Sequence, residues 1–172
     1  MDKKKRAKLA SYFGFGKAKA DDKNTLPAIV LIFGSLLIAI VIENLIRVPD
    51  YYLSIIITGL FMFIAGVSLR LVAQHQLGKQ FSLTVRILKD HKMITTGLYH
   101  YVRHPMYTGF GLMTLGLCLM MHSYSAMIIA LVSLPIAGFY RVKFEEEVLT
   151  KKLGKNYIGY MRRTKRFIPF IW

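Results

Sequence analysis

Arg103, His104, Pro105, Met106 and Tyr107 stand together just before an apolar run of the chain, and Arg141, Glu145, Glu146 and Glu147 stand just after the next one. These three glutamates are the only acids beyond Asp90. A short helical hairpin between the two groups would bring them to one surface. There an acid, cations and aromatic rings would gather, the combination that a small ligand carrying charges and an apolar ring requires. Arg141 and Glu145 are spaced i,i+4 and share a helix face, whereas Glu146 and Glu147 turn away from it. His100 and His104 also have a spacing used by metal ligands. Pro105 disfavours helical geometry at His104, however, and with Cys118 the sole cysteine no acid or thiol completes a metal set. The nearby glycines do not form a phosphate-binding GxGxxG, so no soluble nucleotide-binding fold is implied.

Apolar runs must position these residues. The first extends from Pro27 to about Ile46, with Pro27 suited to a first helical turn, and the second from Tyr51 to about Ala73. Each has roughly the 20 residues that a membrane-crossing helix needs. Shorter runs follow at Tyr107 to Met121 and Ala126 to Tyr140, divided by HSYS at 122–125. Gly109, Gly111 and Gly116 suit close helix packing in the third run, and Pro135 suggests a kink in the fourth. A tight hairpin of these two is expected, with a separate charged helix from Arg141 onward. Glu43 and Arg47 have the order and spacing of a helical ion pair, and Arg70 near the end of the second run is expected to snorkel to the headgroups. The division read from the sequence is a basic tail over 1–26, two spans over 27–73, and a core over 74–172.

Composition and charge fit this arrangement. The 172 residues are 54% hydrophobic with a net charge of +15, and the mean hydropathy is +0.40. The apolar residues come in uninterrupted runs, which excludes a disordered basic chain and an ordinary soluble domain. Eight basic residues lie in 1–26, five in 74–106 and nine in 141–172, while the connections between runs one and two and between runs three and four carry one and none. The positive-inside rule then places both termini and the central loop in the cytosol. Orientation explains the positive charge without nucleic acid. The expected fold class is an all-α integral membrane protein of about four transmembrane helices with a cytosolic loop and C-terminal helix. Membrane lipids are its surroundings.

The stretches HKMITTGLY (91–99), RHPMY (103–107) and RVKFEEEVLTKKLGKNYIGYMRRTKRFIP (141–169) resemble the isoprenylcysteine carboxyl methyltransferase family, within a wider group that includes phospholipid methyltransferases. The resemblance implies S-adenosyl-L-methionine as cofactor and a lipophilic or prenylated methyl acceptor. It also implies that His91, Met93, Ile94 and Tyr99 line the adenosine end and that His104, Pro105, Met106 and Tyr107 wrap the methionine end. Glu145 would hold the cofactor ammonium, and Arg141 would contact the substrate. The residue types agree with the cofactor's chemistry, which asks for an acid for its ammonium, a cation or N–H donor for its carboxylate, and apolar surface for its purine.

A carboxylate acceptor with a pKa of about 3.5 is ionised at neutral pH and needs no general base. Methylation of a lipid amine is the alternative. An ammonium near pKa 10 must first lose a proton, for which Glu146 or His104 are the available bases. A non-enzymatic membrane scaffold is the third reading. In purely structural terms, Tyr99, Tyr101 and Tyr107 could form an interfacial aromatic belt, and Arg141 could simply snorkel at a helix end.

Overall fold

The computed structural model describes residues 25–47, 52–81 and 93–168. His91 and most of the basic tail lie outside the described residues. The elements are α1 (Thr25–Ile46), α2 (Leu53–Leu77) with a 3-10 turn (Gly78–Gln80), α3 (Leu98–Tyr101), α4 (Pro105–Met120), α5 (Tyr124–Leu153) and α6 (Lys155–Arg163). The described residues form an all-α architecture whose sole β feature is an isolated parallel bridge between Val102 and Lys165. Helices α1, α2 and α5 are long and apolar enough to cross a membrane. With 16 residues, α4 extends about 24 Å at 1.5 Å per residue, short of a hydrocarbon layer of about 30 Å.

Two expectations change here. The fourth apolar run ends at Tyr140 but its helix does not, because α5 continues unbroken through Pro135 to Leu153. Arg141 and Glu145 therefore belong to a long spanning helix and not to a separate cytosolic one. The hairpin between α4 and α5 does form, joined by residues 121–123, but α4 packs far more extensively along α2, while α5 takes α1 as its main partner.

Glycine explains the α2–α4 contact. Gly59 and Gly66 on α2 face Gly116 and Gly109 on α4, with the two glycines of each helix seven residues apart. A Cβ at Gly66 would lie 2.5 Å from the Gly109 carbonyl oxygen and 2.5 Å from the Met113 nitrogen, and one at Gly116 would lie 2.6 Å from the Gly59 carbonyl oxygen. The obstructing atoms are backbone, so the helix axes would have to separate to admit a side chain. In lipid, where no hydrophobic effect drives helices together, such close backbone approach is a main source of association. Between α1, α4 and α5 the core is built on Leu36, Cys118, Ala126 and Ala130.

The end of α1 and Tyr52 at the start of α2 meet the connection before α5 at one end of the bundle. The Tyr52 amide donates to His122 Nε2 at 3.2 Å, and Asn44 Nδ2 donates to the Met121 carbonyl at 3.3 Å. Glu43 does not serve as the expected partner of Arg47. Its carboxylate accepts from the Ser123 hydroxyl at 2.6 Å and from the Ser125 amide at 3.1 Å, satisfying donors at the start of α5. Arg47 instead lies over the Tyr124 ring at 5.5 Å.

We predict that Gly66→Ala lowers stability by about 1–3 kcal/mol through overpacking. Gly34→Ala on α1, where an added Cβ meets nothing within 4 Å, should be neutral or slightly stabilising. Thermal unfolding in detergent compares the two, and equal midpoints would remove the glycine seam as a packing constraint.

Candidate active site

The sequence preceding α4 folds around its proline. Pro105 occupies the first helical position and His104 precedes it at φ −129° and ψ 55°, outside the helical region. This extended entry frees the amides of Arg103 and His104 to donate to the carbonyls of Lys165 at 2.8 Å and Arg166 at 3.0 Å. The Thr108 hydroxyl donates to the Phe167 carbonyl at 2.8 Å. The segment after α6 is thereby strapped across the start of α4. Two glycines shape the approach. Gly97, at φ +62°, turns the chain into α3 against the Gln76 side chain, whose Oε1 accepts from the Leu98 amide at 3.0 Å. Gly154, at φ +57°, breaks α5 from α6, so that Tyr157 and Tyr160 turn inward and are buried.

Glu146 anchors this end of the molecule. Its Oε1 accepts from Arg103 Nε at 2.8 Å and its Oε2 from Arg166 Nη2 at 2.8 Å. Arg103 also donates to the carbonyl oxygens of Thr164 and Met161. His104 Nε2 stands 3.4 Å from the Glu146 carboxylate, without the alignment of a hydrogen bond. The sequence reading had Glu146 turned away from the Arg141–Glu145 face. It does turn away, into a buried ion cluster that the reading missed.

On the other side of the same helix, the Tyr107 hydroxyl links the two residues expected to do chemistry. It donates to Glu145 Oε2 at 3.1 Å and accepts from Arg141 Nε at 3.0 Å. His104 Nδ1 lies 4.0 Å from Glu145 Oε2. Arg141 is buried, while the Glu145 side chain keeps 31% of its exposure. Glu145 is thus the carboxylate open to a ligand.

These groups face a cavity of about 550 Å³, within the usual range for small-molecule sites. Met93, Ile94, Tyr99, His104, Met106, Tyr107, Arg141 and Glu145 all line it. Pro105 does not; it is buried in the first turn of α4. Along α5 the lining runs from Ala130 to Leu153, about 35 Å at 1.5 Å per residue. Arg141 and Glu145 sit near its middle. Leu131, Leu134, Pro135 and Gly138 lie to one side along the helix and Val148, Leu149 and Leu153 to the other; Ile29 and Ile32 of α1 and Met93, Ile94, Tyr99 and Tyr157 add to the lining. Tyr160 donates to the Tyr99 carbonyl at 2.6 Å, and the Tyr99 hydroxyl reaches the Ala73 carbonyl at 3.4 Å. Burial pushes the Tyr160 hydroxyl up to about 12 and raises Tyr99 and Tyr157 as well. All three remain neutral near pH 7, so the first two keep their protons for these bonds.

The sequence reading also missed the α1 wall, Phe167 and Ile168 of the strap, and Arg70. Arg70 does not simply snorkel: it lines the cavity with its guanidinium 5.6 Å above the Phe110 ring. A lone charge inside an apolar run was the available signal. Among the described residues no group of three or more His, Cys, Asp or Glu side chains could hold a metal ion.

Fold and cavity together define a multi-pass integral membrane protein with a polar site inside an apolar cleft. Comparison with known proteins gives the family. Residues 56–151 match the model of the isoprenylcysteine carboxyl methyltransferase (ICMT) family, and the chain belongs to that family. The match begins within α2, upstream of the motifs that first suggested it. The chain is 33% identical over 118 residues to protein-S-isoprenylcysteine O-methyltransferase B of Arabidopsis thaliana, an alignment covering 66% of this chain and 58% of that protein. It is 33% identical over 137 residues to the Schizosaccharomyces pombe protein-S-isoprenylcysteine O-methyltransferase, covering 74% and 57%. The chain therefore spans somewhat over half the length of these relatives. The fold is also that of the solved eukaryotic intramembrane Ras methyltransferase ICMT, with a TM-score of 0.74 at 24% identity over 84% of this chain and 53% of that one.

We predict that Glu146→Gln, which leaves Arg103 and Arg166 without their shared counter-charge, costs about 3–5 kcal/mol of stability. Glu147→Gln, at an exposed position, should cost less than about 0.5 kcal/mol. Unfolding midpoints of the two variants check this, and equal values would exclude the cluster as an anchor.

Proposed function

We propose that this chain is an S-adenosyl-L-methionine-dependent methyltransferase that esterifies the carboxyl group of a prenylcysteine-like lipophilic acceptor. One observation carries the reading: Arg141 and Glu145 interrupt an otherwise apolar cavity face, with apolar lining on both sides of them along α5. One side suits a lipid chain arriving from the bilayer past α1, and the other suits a purine arriving from the polar loop. The residues fit the cofactor. Glu145 offers a partly open carboxylate for its ammonium, and Met93, Ile94 and Tyr99 offer apolar surface for its base. His104, Met106 and Tyr107 line the stretch between these groups, whereas Pro105 acts through the geometry it gives His104. His91 is proposed for the adenosine end on the resemblance alone.

When bound, the cofactor supplies an electrophilic methyl group on a sulfonium. The chain's own residues position the acceptor and exclude water. Arg141, which donates to Tyr107, is the proposed carboxylate clamp, a role for which a planar guanidinium fork is suited. An acceptor carboxylate is ionised at neutral pH, so positioning can supply much of the rate gain, on the order of 7–11 kcal/mol for well-oriented groups. The lipid-amine alternative requires a base. Glu146, one of its two candidates, is already bound between two guanidinium groups, which favours the carboxyl reading. Both termini and the polar end of the cavity are proposed to face the cytosol, as the distribution of basic residues indicates.

Glu145→Ala should abolish cofactor binding measured by calorimetry; unchanged affinity would remove it from the site. Arg141→Ala should retain cofactor binding but lose methyl transfer to farnesylcysteine, followed with radiolabelled cofactor beside an ethanolamine lipid. A base-stable product on the lipid would overturn the carboxyl assignment. Cysteine labelling in intact cells tests orientation: Thr96→Cys should be shielded from an impermeant reagent and Met121→Cys should react. The reverse pattern would invert the proposed topology.

A further inference from the structure

We infer that Arg70 is an anion-binding residue of the cavity and takes a carboxylate carried by a bound ligand. The inference rests on the methyltransferase reading and extends it to a residue that the reading leaves without a role. Among the described residues three guanidinium groups line the cavity: Arg70, Arg103 and Arg141. Arg103 is neutralised by Glu146, and Arg141 is tied through Tyr107 to Glu145. Arg70, among the described residues, has the Phe110 ring beneath its guanidinium and no acid paired with it.

An uncompensated cation in a spanning helix is costly, and such residues face interiors or ligand pathways. A ring face offsets only part of that cost. The position is also fixed from behind. The Gly66–Gly109 contact holds α2 against α4 one turn away, and a Cβ at Gly109 would lie 3.0 Å from the Arg70 nitrogen. In this antiparallel pairing Arg70 lies level with the first turn of α4, beside Met106 and Tyr107, where the polar centre of the cavity begins. The cavity therefore has a second positive group on its lining, on α2, besides Arg141 on α5. A carboxylate is the group common to both proposed ligands, since it is present on the amino-acid portion of the cofactor and on the acceptor.

The test is a matched-pair binding measurement on the purified full-length protein in detergent. Calorimetry compares S-adenosylhomocysteine with its decarboxylated analogue, and N-acetyl-S-farnesylcysteine with its methyl ester, for wild type, Arg70→Met and Arg70→Lys. Loss of one charge-assisted contact should weaken one carboxylate-bearing ligand by about 10- to 100-fold in Arg70→Met. The matched ligand without the carboxylate should bind as before, which also shows that the variant is folded. Arg70→Lys should recover part of the preference. Selective loss in the first pair assigns the cofactor carboxylate to Arg70, and selective loss in the second assigns the acceptor's. If Arg70→Met keeps both preferences, or weakens each pair equally, the inference is overturned. A wild-type protein that binds no S-adenosylhomocysteine would instead sink the methyltransferase reading itself.

Discussion

The carboxylate of Glu146, held between Arg103 and Arg166, is the interaction on which the site depends. It joins the loop before α4, the inner part of α5 and the strap after α6. Each of those segments contributes residues to one cavity. A buried ion pair adds little net stability over an apolar substitute, because desolvation offsets the attraction. Its value lies in directionality. Guanidinium and carboxylate geometries lock in few ways, so the cluster fixes how three segments meet where apolar packing alone would permit sliding. His104, close to both Glu146 and Glu145, takes its place from this arrangement.

The glycine seam sets the other coordinate. Gly59 against Gly116 and Gly66 against Gly109 hold α2 and α4 at backbone contact, which carries Arg70 to the level of Tyr107. Ion cluster and seam act on different elements. The first fixes the polar rim, and the second fixes the depth at which the rim meets the spanning helices. Between them, Arg141 and Glu145 of α5 and Tyr107 of α4 are presented to the cavity as one hydrogen-bonded chain.

Much of this was legible in the sequence. Run lengths gave α1 and α2, the Arg-His-Pro entry to α4 followed from proline sterics, and the i,i+4 spacing of Arg141 and Glu145 placed them on one face. The adjacency of His104 and Glu145 followed from the short connection between α4 and α5. What was not legible required partners distant in the chain. Hydropathy marks Tyr140 as the end of an apolar run, but helix propagation depends on backbone bonds and local propensity, and RVKFEEEVLTKKL is a good helix former. Glu43 was assigned to Arg47 because sequence shows neighbours only; its partners at Ser123 and Ser125 are eighty residues away. The partners of Glu146 and the cavity position of Arg70 were not legible for the same reason, since periodicity gives a face but not what lies opposite.

The shortness of α4 has a consequence for where ligands can lie. A helix about 24 Å long beside longer neighbours draws the polar mouth of the cavity inward, below the level that α2 and α5 reach. A lipid-anchored carboxylate would then be met at shallow depth, with its hydrocarbon tail still dissolved in the membrane. Esterification removes the charge that held the head group near the water, so the product would favour deeper lipid than the reactant did. On the proposed reaction, the membrane itself would help clear the cleft after each turnover.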